Sequence, residues 1–107
     1  MKRGTIYWVE LGPASSPELG KTRPAIVISN SMTNQTLRSV VVVPLSSRAP
    51  EIWPLRLPIA MPNGSTSYAI IPGIRQVDKR RLRQTLGRMA ARDIKALDEA
   101  ISVYLND

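Results

Sequence analysis

A short segment near the N-terminus groups residues that can bind and transform a phosphate. In residues 17–30 (PELGKTRPAIVISN), Glu18, Lys21 and Arg23 share a glycine-containing stretch, and Pro24 begins an apolar run. The planar guanidinium of an arginine donates two hydrogen bonds at once to a phosphate, and a neighbouring glutamate can act as a base or orient that guanidinium. Two interpretations follow: a turn with a surface ion pair between Glu18 and Arg23, or half of an active site.

The remaining residue inventory restricts the chemistry. The chain has no Cys and no His, which excludes disulfides, thiolate nucleophiles, cysteine–histidine zinc sites and Ser-His catalytic pairs. Ahead of residue 89 the acidic residues are few, and none forms a close pair, so a two-metal nuclease site is not expected. The motifs GxxxxGK[ST] and GxGxxG are absent. We therefore expect neither a metal nor a cofactor.

Charge is distributed unevenly along the chain. Residues 1–88 contain thirteen Lys and Arg against four acidic residues, a balance of +9, whereas residues 89–107 carry −2. A basic body favours a polyanionic partner, and nucleic acid is the first candidate because phosphate neutralisation supplies much of the affinity for it. The alternative is a basic surface without such a partner.

RNA is the nucleic acid that this inventory could cleave. Its 2′-hydroxyl is a nucleophile, so a protein has only to align that oxygen, accept its proton, stabilise charge on the phosphoryl oxygens and protonate the leaving 5′-oxygen. Glu18 and Arg23 in one loop, with Ser46 or Ser47 from a neighbouring strand end, suffice in principle.

Mostly short strands position these residues, within one domain that spans residues 1–107. Apolar or alternating runs predict strands over 5–11, 24–29, 39–45, 53–59, 67–72 and 74–78. The run 53–59 contains prolines, which favours a sheet edge, and PNGS at 62–65 predicts a turn. Such a series of strands is typical of a barrel or a sandwich. No run approaches the roughly 18 apolar residues of a membrane span, so we expect no membrane association and a cytoplasmic location.

The end of the chain changes period. Ile94, Leu97, Ile101, Tyr104 and Leu105 recur at helical spacing, which predicts an amphipathic C-terminal helix packed on the barrel or on a partner subunit.

A basic run precedes this helix. Lys79, Arg80, Arg81 and Arg83 outnumber the nearest acid, Asp78, so the run is either a solvated charged surface or a phosphate-binding element.

Four blocks of the sequence, in this order, resemble the MazF/PemK family of toxins from bacterial toxin–antitoxin pairs: RGTIYWVELGP, SPELGKTRPAIVISN, VVVVPLSS and IRQVDKRRL. The likeness runs from Lys2 to about Leu105, and E-x-G-x-x-R-P is its most specific motif. The resemblance implies a mainly β fold, a compact SH3-like β-barrel of the CcdB/MazF type with a C-terminal amphipathic α-helix, assembled as a homodimer. It also implies a metal-independent, sequence-selective endoribonuclease that cuts single-stranded RNA, often mRNA, to 2′,3′-cyclic phosphate and 5′-hydroxyl ends. An acidic cognate antitoxin would mask the RNA groove.

The same resemblance implies residue roles. Arg23 matches the catalytic arginine of the family, and Glu18 matches the acidic residue five positions before it. Ser46 falls where relatives usually place a Thr, and its hydroxyl would bind the scissile phosphate. The structural alternatives are that Glu18 only holds the loop and that Ser46 only caps a strand end. The residues predicted to bind RNA are Lys21, Thr22, Ser47, Arg48, Arg75, Lys79 and Arg80.

One position departs from the family pattern. Relatives often carry an acid followed by Gln where this chain has Pro72-Gly73, so the acid–base assignment that uses that acid cannot be transferred. Glu18 and Arg23 would then share the proton transfers while Arg75 and Ser46 hold the phosphate. Two other functions stay open: an RNA-binding relative with weakened or lost catalysis, and a toxin that binds DNA gyrase as CcdB does.

Overall fold

The computed structural model describes residues 1–13 and 21–107, and it has the predicted mainly β fold with a C-terminal helix. The strands are β1 (Thr5–Glu10), β2 (Thr22–Val27), β3 (Ser39–Ser46), β4 (Arg56–Ala60), β5 (Thr66–Ile70), β6 (Arg75–Asp78) and β7 (Leu82–Arg88). The helices are α1 (Ser31–Thr36) and α2 (Ala91–Leu105), and two short 3-10 turns occupy Ile71–Gly73 and Lys79–Arg81. Among these residues, no helix has the length and apolar character needed to cross a membrane.

The strands form one antiparallel sheet in the order β4-β5-β3-β2-β1-β7, and β6 pairs with the first half of β3. The proline-containing strand β4 lies at the edge, as predicted. Within residues 1–13 and 21–107 no ladder joins β4 to β7, so the barrel-like sheet is not closed by backbone hydrogen bonds. The Gly87 backbone of β7 nevertheless lies close to the Pro62 ring that follows β4, since a Cβ added at Gly87, where φ is +127°, would lie 2.7 Å from Cγ of Pro62.

Strand β3 contributes to two cores because both of its faces are buried. Val43 and Leu45 belong to the core under α2, whereas Val40 and Val42 belong to a second core on the other side of the sheet. Burial of both faces explains why the run VVVVPL within this strand is apolar throughout and not at every second position.

Helix α2 is bound to the sheet along its first three turns. Leu97 and Ala100 are buried against the core, and the Asp93 carboxylate accepts a hydrogen bond from the Ala60 amide of edge strand β4 at 3.1 Å. Arg3 forms an ion pair with Asp98. The predicted apolar stripe therefore packs on the sheet in its first part, while its end, including Leu105 at 60% exposure, faces outward.

Two elements were absent from the sequence prediction. Strand β7 lies in the basic run, and neither its residues nor their burial alternate because its ladder with β1 is interrupted by register shifts, so no strand pattern marks it in the sequence. Helix α1 is a polar segment without apolar periodicity, and it is begun by Asn30, whose side chain accepts a hydrogen bond from the Met32 amide at 2.8 Å.

Candidate active site

Strand register places Arg23, Ser46 and Tyr68 on one face of the sheet. The last pair of the β2–β3 ladder is Ala25–Pro44, and Arg23 and Ser46 each lie two residues farther along their strands, so both share a face with that pair. Ser46 pairs directly with Tyr68 of β5. Because side chains at alternate strand positions share a face, the guanidinium, the hydroxyl and the phenol lie on the same side.

Two further arginines lie on this face. Arg75 of β6 pairs with Val42. Val42 lies four residues before Ser46 in β3 and therefore on the same face of the sheet. Arg56 of β4 pairs with Ile70, which lies two residues after Tyr68 in β5 and therefore on the same face. We call the surface that carries Arg23, Ser46, Arg56, Tyr68 and Arg75 the Arg23 face.

The Arg23 face is basic. No strand position on it is Asp or Glu within the part of the chain that the structure describes. Sequence reasoning missed Tyr68 and Arg56, because only the register of β4 and β5 reveals that they share a face with Ser46.

The ends of the loop that leads to Arg23 are held by backbone hydrogen bonds. The Leu11 amide donates to the Lys21 carbonyl at 2.8 Å, and the Lys21 amide donates to the Gly12 carbonyl. Lys21 adopts φ 64°, a left-handed conformation that costs roughly 1–2 kcal/mol for a residue with a side chain. This closure determines where β2 begins, and therefore where Thr22 and Arg23 lie. Glu18 lies outside the described residues.

Arg75 connects β6 to the same loop closure. Its Nη1 donates to the Leu11 carbonyl at 3.1 Å, and its side chain is half-buried. Arg75 thus positions the end of β1, in addition to placing positive charge on the Arg23 face. The Pro72-Gly73 pair lies in the 3-10 turn between β5 and β6, directly ahead of this arginine.

The Ser46 hydroxyl already has one partner. Its Oγ accepts a hydrogen bond from the Arg48 amide at 3.2 Å, which is the strand-end cap considered above. Since the oxygen is the acceptor in that bond, the hydroxyl proton can be donated to a phosphate on the Arg23 face. Ser47 and Arg48 follow at the exposed start of the β3–β4 connection.

The structure does not bring Lys79 and Arg80 to this group. Asp78 pairs with Ser39, so both cations follow the opposite end of β3, roughly 20 Å along the strand from Ser46. The Lys79 ammonium donates to the Asn34 carbonyl. Arg80 forms an ion pair with Asp78 at 3.0 Å, and hydrogen bonding to Arg80 lowers the pKa of that carboxyl.

The other two cations of the basic run also contact protein oxygens. Arg81 donates to the Glu10 carbonyl at 3.4 Å, and Arg83 forms an ion pair with the Glu10 carboxylate. The run is thus partly neutralised by intramolecular contacts, which favours a structural role. Its RNA-binding role remains a prediction.

A cavity of about 250 Å³ lies on the opposite face of β1 and β2, beside Trp8 and Pro24. Its other lining residues are Met61, Pro62, Asn63, Ser65, Ser67 and Leu86. None of these side chains is charged, so the cavity is not suited to a phosphate. Metal binding has no evident site either, since residues 1–13 and 21–107 contain no cluster of three or more His, Cys, Asp or Glu that could hold an ion.

The sequence is similar to a family of toxins and to endoribonucleases along nearly its whole length. Residues 2–105 match the family model described as PemK-like, MazF-like toxin of type II toxin–antitoxin system. The endoribonuclease MazF9 of Mycobacterium tuberculosis is 32% identical over 114 residues, covering 99% of this chain and 97% of that protein. The endoribonuclease MazF of Staphylococcus saprophyticus is 27% identical over 112 residues, covering 98% and 91%.

Solved structures show the same fold. MazF of Deinococcus radiodurans superposes with a TM-score of 0.84 at 23% identity, covering 98% of this chain and 96% of that one. A mycobacterial endoribonuclease in complex with its cognate antitoxin gives a TM-score of 0.82 at 23% identity, with 98% and 94% coverage. Because the family model spans nearly the whole chain and the relatives align over nearly their full length, the chain belongs to the PemK-like, MazF-like toxins of type II toxin–antitoxin systems.

Proposed function

We propose that this chain is the toxin of a toxin–antitoxin pair and acts as a metal-independent endoribonuclease on single-stranded RNA. The observation that carries the proposal is the Arg23 face, which combines three arginines with the Ser46 and Tyr68 hydroxyls and has no acidic residue at its described strand positions. Such a surface binds a phosphodiester backbone and stabilises charge on its oxygens. The names of the two relatives as endoribonucleases support the same reaction.

In the proposed reaction the RNA 2′-oxygen attacks the adjacent phosphorus. The new 2′-oxygen–phosphorus bond forms as the bond from phosphorus to the 5′-oxygen breaks, which leaves a 2′,3′-cyclic phosphate and a 5′-hydroxyl. Arg23 binds the phosphoryl oxygens with its two-pronged guanidinium, and Ser46 donates its proton to the same group. Glu18 and Arg23 share the proton transfers: Glu18 accepts the proton of the 2′-hydroxyl, and Arg23 donates a proton to the leaving 5′-oxygen and is reprotonated by Glu18.

A second candidate is favoured by one observation. Pro72-Gly73 occupies the turn where relatives often carry an acid, so this chain lacks one of the groups that could assist proton transfer. A relative that binds RNA without cutting it would have the same Arg23 face. The two candidates differ in whether a phosphodiester bond is broken.

Cleavage of a long single-stranded RNA in the presence of EDTA tests the proposed reaction. We expect new ends that carry a 5′-hydroxyl, recurring at a short sequence motif, because the 2′-hydroxyl is the nucleophile and no metal is needed. The measurement is sequencing of 5′-hydroxyl ends, with a matched oligonucleotide carrying 2′-deoxyribose at the cleaved position as the uncut control. Activity that appears only with a divalent metal, or 5′-phosphate ends, would contradict the proposal.

We also propose that an acidic antitoxin and a second copy of the chain are its protein partners in the cytoplasm. The basic body of residues 1–88 complements an acidic peptide. The outward end of α2 exposes Val103, Tyr104 and Leu105, an apolar surface suited to a subunit contact.

Dimer formation predicts a particle of twice the 11.8 kDa chain mass in sedimentation equilibrium. Val103→Asp should shift this particle toward the monomer, because a carboxylate would have to be desolvated in an apolar contact. Met32→Asp, at an exposed apolar position on α1, is the matched control. A monomeric wild-type chain at micromolar concentration would exclude a stable dimer.

A further inference from the structure

We infer that the β3–β4 connection, residues 47–55, forms a base-stacking subsite beside the Arg23 face, with Trp53 as its platform. This inference rests on the proposed function and adds a binding element to it. The ligand is a nucleobase of the RNA strand that flanks the scissile phosphate.

Trp53 is presented to solvent at the tip of this connection. The side chain is 49% exposed, and it is flanked by Ile52 and Leu55, which are exposed as well. These three apolar side chains each leave a third to a half of their surface open to solvent, so about half of the Trp53 ring is accessible to a ligand. Every base has a π-face that can stack on such a ring, whatever the sequence.

The tip is held in place by backbone hydrogen bonds. Ile52 and Arg56 exchange two of them, at 3.0 Å and 2.6 Å, around the Trp53-Pro54 turn. The Ile71 amide donates to the Leu55 carbonyl at 3.0 Å, which ties the tip to the end of β5. Because the turn is already ordered, stacking a base on it requires little further loss of backbone entropy.

Two contacts connect the tip to the candidate active site. Arg56, which closes the turn, donates from Nη1 to the Arg48 carbonyl at 3.2 Å. The Arg48 amide in turn donates to Oγ of Ser46 at 3.2 Å. The turn that carries Trp53 is therefore linked by two successive hydrogen bonds, through Arg48, to the hydroxyl assigned to the scissile phosphate, and Arg56 lies on the Arg23 face itself.

Charge around the tip favours nucleic acid over a second copy of this chain. Arg48 precedes Trp53 and Arg56 follows it in the chain, the two are joined by a hydrogen bond, and Glu51 is the only acid of the connection. An isologous contact of two such tips would bring the arginines of one copy against those of the other. Arginines beside an aromatic ring suit a strand whose bases stack while its phosphates pair with cations.

Trp53→Ala tests the platform. With a long oligonucleotide whose scissile ribose is 2′-deoxy, we expect a roughly 5- to 150-fold weaker Kd, the effect of losing one stacked base. Trp53→Phe should recover most of the affinity because a smaller ring still stacks. The ratio of wild-type to Trp53→Ala kcat/KM should fall as a cleavable substrate is shortened from both sides to the scissile dinucleotide.

A fluorescence measurement reports on the ring directly. The chain has two tryptophans, and Trp8 lies at the cavity on the opposite face, so a Trp8→Phe background leaves Trp53 as the only indole. Binding of the 2′-deoxy-substituted oligonucleotide should quench its emission. Met32→Ala, an exposed apolar residue remote from the tip in sequence, is the matched control and should leave the Kd within twofold of wild type.

The outcomes separate the subsite from the proposed function. If wild-type protein cuts the dinucleotide and the long RNA while Trp53→Ala binds the long RNA as tightly as wild type, the subsite is disproved and the endoribonuclease stands. If Trp53→Ala changes the oligomeric state instead of RNA affinity, a second copy covers the tip and the inference is again wrong. If wild type cuts neither substrate, the proposed function fails, while quenching of Trp53 on binding would still support the subsite.

Discussion

Arg23→Ala is expected to lower the rate of RNA cleavage by about 10³-fold or more while the protein keeps its fold. Removing an arginine that stabilises a transferring phosphoryl group costs about 10³–10⁵ in kcat in enzymes that depend on one. Arg23 lies at the start of β2, on the face that also carries Ser46 and Tyr68, and metal ions are not expected to share the charge stabilisation. Single-turnover cleavage in EDTA, with circular dichroism of the variant, measures both parts of this prediction.

Two variants make the Arg23 result interpretable. Arg23→Lys keeps the charge and loses the planar fork, so it should recover only a small part of the activity. Arg92→Ala, on the exposed surface of α2, makes the same change in net charge and should stay within threefold of wild type. Full activity of Arg23→Ala, or an equal loss in Arg92→Ala, would show that Arg23 contributes only to overall charge. Toxicity that survives Arg23→Ala and is relieved by gyrase mutations would favour a gyrase-binding toxin.

The strands that hold the site could be predicted because each had to bury apolar side chains. The run at 39–45 coincides with β3, and the run at 5–11 with β1, to within one residue. Boundaries were less accurate where proline or polar residues begin a strand. Strand β2 begins at Thr22, before Pro24, because the Lys21 closure pairs it with β1 ahead of the proline.

What the sequence could not supply is the register between distant strands. Tyr68 faces Ser46, and Arg56 shares their face, only because β5 pairs with β3 at one end and with β4 along its length. A shift of one residue would move both side chains to the opposite face. The spacing of residues along the chain does not predict this register, because the connection that carries Trp53 separates β3 from β4.

The unknown strand register also explains why the charge of the basic run was overestimated from the sequence. From the sequence, Arg83 had no acidic partner nearby, yet strand pairing brings it to Glu10 at the end of β1. Two acids, Glu10 and Asp78, therefore offset part of a charge that local counting left unpaired. Arg75 was predicted only to bind RNA, but its guanidinium also donates a hydrogen bond to the Leu11 carbonyl. Because Leu11 is hydrogen-bonded to Lys21, this contact supports the loop closure that positions Arg23.

Ser46→Ala is expected to lower kcat by about 10²–10³-fold with a smaller effect on KM. This is the usual cost of removing one donor that stabilises charge developing in the transition state. The Ser46 hydroxyl can donate to the phosphate because its oxygen accepts the hydrogen bond from the Arg48 amide, and that bond does not use the hydroxyl proton. Steady-state cleavage of a fluorogenic oligonucleotide containing the preferred motif would separate kcat from KM.

The alternative, that Ser46 is only a cap for the strand end, predicts a different set of results. Ser46→Thr keeps both the acceptor and the donor, so it should retain activity under either interpretation. Ser47→Ala, at the adjacent exposed position beyond the end of β3, should reduce kcat by less than tenfold because Ser47 is not assigned to the scissile phosphate. Urea unfolding reports the cap, since loss of the Arg48 contact should lower the free energy of unfolding by at most about 1 kcal/mol. If Ser46→Ala shows that loss of stability and keeps the wild-type kcat, the hydroxyl is structural, and the hydroxyl donor on the Arg23 face must be sought at Tyr68.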